Sequence, residues 1–275
     1  SGEATPGTAG AHVAEAAAAH GGDSHGGTPA KVAKLRSAKA AAGHQADAHA
    51  AHWSYGGDGG PEKWGQLKPE FSTCANGQRQ SPIDIRSGVK VDLEPIQFDY
   101  RPSPFGVIDN GHTIQVNVAG GNAIEVQGQR FDLVQFHFHR PSEEQVEGKN
   151  ASMVAHFVHK SKEGKLAVIG VLLNEGKDSA AIKTLWANLP PKEMEEYLPA
   201  KVTFNPGSML PKELGFYNYE GSLTTPPCSE TVHWTVMASP QTVSPSQIAA
   251  FSALFPSNAR PVQPLNRRYV LKTSG

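Results

Sequence analysis

Apolar and polar residues alternate with a period of two in eight short runs, most of them separated by Gly, Pro or Asn. Because successive side chains of a strand point to opposite faces, this period predicts half-buried β-strands. The runs are Ile96–Tyr100, Thr113–Val118, Ala123–Val126, Phe131–His139, Met153–His159, Leu166–Leu173, Phe216–Tyr219 and Val232–Met237. Strands of this number and spacing predict one sheet-dominated domain.

Two segments have the helical period instead. After Asp178, apolar residues recur at i, i+3, i+4 and i+7, at positions Ile182, Leu185, Trp186 and Leu189. The second helix is predicted to begin at Ser244 as N-cap, with Pro245 at its first position and Gln247 completing a capping box. From its residues alone, the chain is therefore β-rich α+β with few short helices.

Residues 1–51 differ from the rest because they are rich in Ala, Gly and His and offer almost no large apolar side chain to a core. We interpret them as an N-terminal extension, either a tail or a solvated helix, and residues 52–275 as the domain. No apolar run reaches the roughly 18 residues of a membrane span. The first residues lack a basic segment before an apolar core, so we expect no signal peptide or one already removed.

The charge and the cysteine content argue against some functions, such as binding nucleic acid. With a net charge of -1 and 19% charged residues, the chain has no bulk attraction to nucleic acid and suits a soluble globular protein. Cys74 and Cys228 fit neither a CxxC redox pair nor a zinc knuckle. They are either two buried thiols or one long-range disulfide, and a disulfide would favour a location outside the reducing cytosol.

A candidate metal site lies in the Phe131–His139 run. His137 and His139 share one strand face, about 6–7 Å apart, and can bind one ion, although such pairs are more often ordinary polar residues. The next run offers His156 and His159, which face opposite sides, so only one can join them. Three neutral imidazoles leave one tetrahedral position of Zn²⁺ open for water, which is typical of catalytic sites.

Several motifs occur in an order that resembles one enzyme family. They are HWSYGG at 52–57, GPEKW at 60–64, QSPIDI at 80–85, NGH at 110–112, QFHFH at 135–139, PSE at 141–143, AHFVH at 155–159, SLTTPPCSE at 222–230 and RPVQPLN at 260–266. Together the chain resembles an α-class carbonic anhydrase of the bacterial, secreted type over nearly everything after residue 51. The resemblance implies a large, mostly antiparallel, twisted central sheet and zinc-dependent reversible hydration of carbon dioxide by a zinc-bound hydroxide.

The resemblance also implies residue roles. Zinc is expected on His137, His139 and His156. Thr224 accepts a hydrogen bond from the hydroxide and donates one to Glu143, which fits a hydroxyl with a single proton to give. His112 is the expected proton shuttle, since an imidazole both accepts and releases a proton near neutral pH.

Further roles follow the same resemblance. The apolar substrate pocket is expected to comprise Val158, Val168, Leu223, Val232 and Trp234. The proton path is expected to include Tyr55, Asn110 and Gln115, the last at a position where the family often has Asn. Gln135 and the Asn258 backbone are expected to accept hydrogen bonds from His137 and His139. Cys74 and Cys228 stand where bacterial relatives place a disulfide, which implies a periplasmic or secreted protein.

The chain departs from the family at two positions. Where the family usually has a glutamate two residues before the third ligand, this chain has Val154, and where it commonly has a histidine, this chain has Glu144. Because the family's two residues are neighbours, we hypothesise that Glu144 supplies the missing carboxylate to His156. Loss of such an acceptor typically weakens metal binding or activity by about 10–100-fold.

Two rival functions remain at this point. A catalytically silent relative would act as a binding module, but such relatives have typically lost zinc-binding histidines. A zinc protease would require HExxH, which the sequence lacks. The expected partners are carbon dioxide and bicarbonate, with anions or sulfonamides as inhibitors at the zinc, and neither nucleic acid nor membrane. The family leans toward homodimers, and ester hydrolysis is an expected side activity.

Overall fold

The computed structural model describes residues 52–274, so the interpretation of residues 1–51 lies outside the described residues. The strands are β1 (Asp84–Ile85), β2 (Val89–Val91), β3 (Gln97–Asp99), β4 (Phe105–Asp109), β5 (Ile114–Val118), β6 (Ala123–Val126), β7 (Gln129–His139), β8 (Gln145–Val146), β9 (Lys149–Asn150), β10 (Met153–Lys160), β11 (Leu166–Glu175), β12 (Phe216–Gly221), β13 (Val232–Met237), β14 (Gln241–Val243) and β15 (Leu271–Thr273). The helices are α1 (Trp64–Leu67), α2 (Thr73–Asn76), α3 (Ala180–Ala187) and α4 (Pro245–Leu254), with 3₁₀ turns at Gly57–Gly59, Pro61–Lys63, Pro69–Phe71 and Pro206–Met209. None of these described helices is long and apolar enough to cross a bilayer.

One large sheet forms the centre of the molecule. Its strands follow the order β2-β15-β12-β13-β11-β10-β7-β5-β4, with β3, β6 and β14 at its margins, and β1, β8 and β9 form a small second sheet. Most neighbours are antiparallel, but β11–β13, β11–β14 and β2–β15 in the large sheet and β1–β8 in the small one are parallel. The predicted β-rich fold is confirmed, with a mixed sheet rather than a purely antiparallel one.

The two faces of the large sheet pack against different parts of the molecule. One face packs against α3 and α4, where Phe138, Trp186 and Phe251 form a buried aromatic cluster. Trp186 also donates from Nε1 to the Gln247 carbonyl, 3.0 Å away, which fastens the two helices together. Each such aromatic side chain stabilises the fold by about 1.5–3 kcal/mol. This face carries the larger apolar core, and we call the opposite face, which carries a smaller apolar cluster, the free face.

Strand β4 is one element that the alternation did not predict. All five of its residues are buried, so no polar period marks the strand. Its outer edge is covered, because Val107 and Tyr197 exchange two backbone hydrogen bonds of 2.9 and 2.8 Å. A strand that is buried on both faces shows no alternation of apolar and polar residues. From sequence it cannot be distinguished from any other short apolar run.

Cys74 and Cys228 form a disulfide across a sequence separation of 154 residues. Of the two alternatives that composition left open, the bridged one is therefore correct. Closing a loop of this length stabilises the fold by up to about 5 kcal/mol in the chain-entropy model. The bridge joins α2, in the N-terminal arm, to the loop that carries Thr224, and it packs beside the fully buried Trp64.

Candidate metal centre

Three histidines meet on the free face of the sheet. Strand β7 supplies His137 and His139 two residues apart, and antiparallel pairing with β10 places His156 directly opposite His137. One nitrogen of each ring can point to a common centre, and these three atoms lie within 4.8 Å of one another. His159, one of the two candidates for the third position, lies on the other face and pairs with the Tyr100 hydroxyl at 2.6 Å.

The remaining nitrogen of each ring contacts a hydrogen-bond acceptor. His137 Nδ1 lies 2.8 Å from Gln135 Oε1, and His139 Nδ1 lies 2.7 Å from the Asn258 carbonyl. His156 Nε2 lies 2.7 Å from Glu144 Oε1. Because acceptors require protonated nitrogens, Nε2 of the first two rings and Nδ1 of the third carry the free lone pairs.

These lone pairs fit a bound metal. His139 is buried, and its Nε2 has no hydrogen-bond partner among residues 52–274. An unsatisfied buried polar atom costs about 1–3 kcal/mol, which a metal bond would offset. Burial, with a smaller effect of the His156 charge, lowers the pKa of His137 to about 3, so this ring stays neutral. Neutral imidazoles are ligands of the kind that zinc prefers.

Glu144 occupies the place that the hypothesis assigned to it. Its carboxylate is fully buried and contacts the His156 ring directly, with no intervening water needed. Burial alone would lower the pKa of His156, but the charge and hydrogen bond of Glu144 outweigh it and the pKa is raised. Val154, two residues before His156, is fully buried in an apolar cluster. The contact that the hypothesis required is therefore present.

Glu143 is a second buried carboxylate beside the histidines. Its Oε1 accepts a hydrogen bond of 2.9 Å from the Arg260 backbone N–H. Burial raises the pKa of Glu143 to about 7, while the charge of His156 and the nearby Thr224 hydroxyl act in the opposite direction. Thr224 is buried as well, so this hydroxyl and carboxylate are held close together away from solvent.

An apolar wall borders the histidines. Trp234 places its ring 4.9 Å from that of His156 and is anchored through Nε1 to the Ser222 carbonyl at 2.9 Å. The other predicted pocket residues share one apolar cluster with it, namely Val158, Val168, Leu223 and Val232. All five predicted pocket residues are thus brought together on the metal-binding face.

The predicted residues of the proton path extend from His137 to His112. Gln115 pairs with His137 across β5 and β7, and Asn110 donates to Gln115 at 3.3 Å. Asn110 Oδ1 also accepts from the backbone N–H of His112 at 3.0 Å, across a turn in which Gly111 has a φ of +84°. That positive φ explains the glycine at this position. Burial raises the pKa of Tyr55, and the charge of the nearby Glu143 raises it further.

Two residues of the C-terminal segment contribute more than sequence reasoning found. The Asn258 side chain donates to the carbonyls of His112 and Phe138, both at 3.0 Å, so it joins the metal strand to the His112 turn. The buried Arg260 guanidinium donates to the carbonyls of Ser81 and Cys74 at 2.9 and 3.1 Å. The RPVQPLN motif contains Arg260, but its role depends on contacts about 180 residues away in sequence.

Comparisons with known proteins agree with this geometry. The family model of eukaryotic-type carbonic anhydrases matches residues 59–274. A carbonic anhydrase of Nostoc sp. is 43% identical over 226 residues, covering 80% of this chain and 86% of the relative. One of Pectobacterium carotovorum is 41% identical, covering 81% and 91%. The solved α-carbonic anhydrase of Thermovibrio ammonificans with sulfanilamide has a TM-score of 0.78 and 43% identity, covering 80% of this chain and 99% of that one.

Proposed function

The chain belongs to the carbonic anhydrase family, and on this premise we propose that it is a zinc lyase that interconverts carbon dioxide and bicarbonate. The observation that carries the proposal is the convergence of three imidazole lone pairs beside a buried apolar wall. His137, His139 and His156 would hold the zinc. When bound, zinc supplies an acidified water, which can act as a nucleophile near neutral pH.

The chain's own residues orient the reactants. Thr224 donates its one proton to Glu143, so it can only accept a hydrogen bond from the attacking oxygen, whose free lone pair then points to the substrate. The Arg260 backbone N–H fixes the Glu143 carboxylate for this task. The apolar wall around Trp234 suits carbon dioxide, which is small and carries no net charge. Glu144 holds the His156 ring in the tautomer that binds metal.

Purified protein is expected to contain about one zinc per chain and to hydrate carbon dioxide. Metal analysis by mass spectrometry and stopped-flow measurement of proton release test this directly. Removal of zinc with a chelator should abolish hydration, and adding zinc back should restore it. Full hydration activity in zinc-free protein would contradict the proposal.

We expect His112→Ala to lower kcat for hydration in dilute buffer by about tenfold or more. This is less than the ~10²–10⁴-fold that a general acid–base group contributes, because water and buffer still accept protons directly. His112 takes up the proton released at the metal centre, so its loss slows regeneration of the site but not carbon dioxide hydration itself. Accordingly kcat/KM should change little, and added imidazole should restore kcat. A variant with buffer-independent, wild-type kcat would contradict the shuttle role.

Further properties follow from the same function. The disulfide supports a periplasmic or secreted location, which fractionation of the source cells would test. The Thermovibrio ammonificans relative is described with an inhibitory sulfonamide, and we expect sulfonamides and small anions to bind at the same place here. The family's preference makes a homodimer the assembly to test by sedimentation, and ester hydrolysis is the expected side activity.

A further inference from the structure

The histidine beside the proposed shuttle has no assigned role. His52 is exposed, and its Nε2 lies 3.2 Å from Nε2 of His112, although the two residues are 60 positions apart in sequence. Two imidazoles in this arrangement share one proton, because one nitrogen must donate and the other accept. His112 is only partly exposed, so His52 is the member of the pair that is open to solvent.

The ring of His112 is held in place by the N-terminal arm. Trp53 stacks on it with a centroid distance of 3.7 Å and an angle of 10° between the planes. Trp53 in turn packs edge-on against the fully buried Trp64, at 5.4 Å. Trp64 donates from Nε1 to the carbonyls of Ser54 and Gly59, both at 2.9 Å. These contacts fix the segment that carries His52 next to His112, and the stacked Trp53 restricts rotation of the His112 ring.

The His112 backbone is fixed as well. Its N–H donates to Asn110 Oδ1 and its carbonyl accepts from Asn258 Nδ2, both at 3.0 Å. With ring and backbone both held, a proton leaves His112 more readily by transfer to a partner than by rotation of the side chain. His52 is a partner at hydrogen-bond distance, and an imidazole has one nitrogen that can accept a proton and another that can release one.

We propose that His52 is a second proton carrier, which passes the proton from His112 to solvent. This inference rests on the proposed function. A proton arriving at Nδ1 of His112 gives an imidazolium. Its Nε2–H bond then breaks while an N–H bond forms at Nε2 of His52, which releases a proton from Nδ1 to water or buffer. One proton moves in each passage with no change in oxidation state, and exchange with solvent resets both tautomers.

The test is exchange of oxygen-18 from labelled bicarbonate, which reports two rates in one sample of the zinc-loaded protein. Interconversion of carbon dioxide and bicarbonate needs no proton transfer, whereas release of labelled water does. We expect His52→Ala to slow release of labelled water by about three- to tenfold, less than loss of His112 itself, with interconversion unchanged. Added imidazole should restore the release rate.

Two further variants separate proton transfer from mere hydrogen bonding. His52→Gln can still donate to His112 Nε2 but cannot carry a proton, so we expect it to be as slow as His52→Ala. His233→Gln, which removes a histidine that pairs with Glu220 on the surface, should behave like the wild type. A His52→Gln variant with wild-type release, a loss that imidazole does not restore, or a changed interconversion rate would overturn the proposal.

The outcomes also distinguish this inference from the function on which it rests. If His112→Ala slows release of labelled water and His52→Ala does not, only the second carrier is wrong. If neither variant slows release, the shuttle role of His112 is wrong as well. If no interconversion occurs even in the wild type, the proposed carbonic anhydrase activity itself is wrong.

Discussion

The His137→Ala variant is expected to bind zinc roughly a hundred- to a thousandfold more weakly and to lose hydration of carbon dioxide. Zinc sites with four protein ligands bind with about 10–16 kcal/mol, so one ligand accounts for about 3–4 kcal/mol. The two remaining histidines hold the ion more weakly and without the three-ligand geometry, so hydration is lost. Isothermal titration of the metal-free protein, together with stopped-flow hydration, measures both effects.

The matched control for this prediction is His233→Ala, which removes a histidine from β13 that takes no part in the metal centre. This variant should keep zinc and activity. Circular dichroism should show that both variants retain the β-sheet signal, because His137 lies on the free face rather than in the aromatic core. An active His137→Ala protein without zinc would refute the mechanism.

The Glu144→Ala variant is expected to bind zinc about 10–100-fold more weakly than the wild type. Its carboxylate is the acceptor seen for the distal nitrogen of His156 in the described residues, at 2.7 Å. Without it the ring loses its fixed tautomer and orientation, and the ligand becomes less basic. Competition with a chromophoric chelator measures the zinc affinity.

A double variant tests whether position 154 can take over this role. Val154 shares its strand face with His156, so Glu144→Ala combined with Val154→Glu returns a carboxylate to the same neighbourhood. Zinc affinity should recover at least in part in the double variant. Val154→Glu alone should lower the thermal unfolding temperature, since it adds a second buried carboxylate next to Glu144. Wild-type zinc affinity in Glu144→Ala would show that Glu144 has no such role.

The alternation of apolar and polar residues predicted most strands of the large sheet. Strands β7, β10, β11 and β13 occur where the two-residue period predicted them. The capping box at Ser244 likewise identified the start of α4, because both of its hydrogen bonds are local. The three-residue strands β2 and β15 were not predicted, since so few residues give only a weak period. Local patterns therefore predicted local structure and little more.

The metal centre required information that no local pattern contains. The period placed His137 and His139 on one face but left His156 and His159 as alternatives. The family resemblance selected His156, and the register between β7 and β10 places it opposite His137. The contact between His52 and His112 joins an irregular arm to a turn, and nothing in either segment indicates the other. Resemblance to a known family supplied the residues of the site and some long-range contacts, such as the disulfide and the Asn258 carbonyl on His139. The contacts of His52 and of the Arg260 guanidinium came from the structure alone.

The metal centre also has an order of assembly. Two residues that complete the metal centre come late in the chain. Asn258 supplies the carbonyl for His139, and Arg260 supplies the backbone N–H for Glu143. During synthesis on the ribosome, β7 and β10 emerge more than 90 residues before this segment. A nascent chain thus contains all three histidines, and the acceptors for His137 and His156, before the acceptor for His139 has been synthesised. The metal centre therefore takes its final geometry only after residues 258–260, which follow α4, have packed against His139 and Glu143.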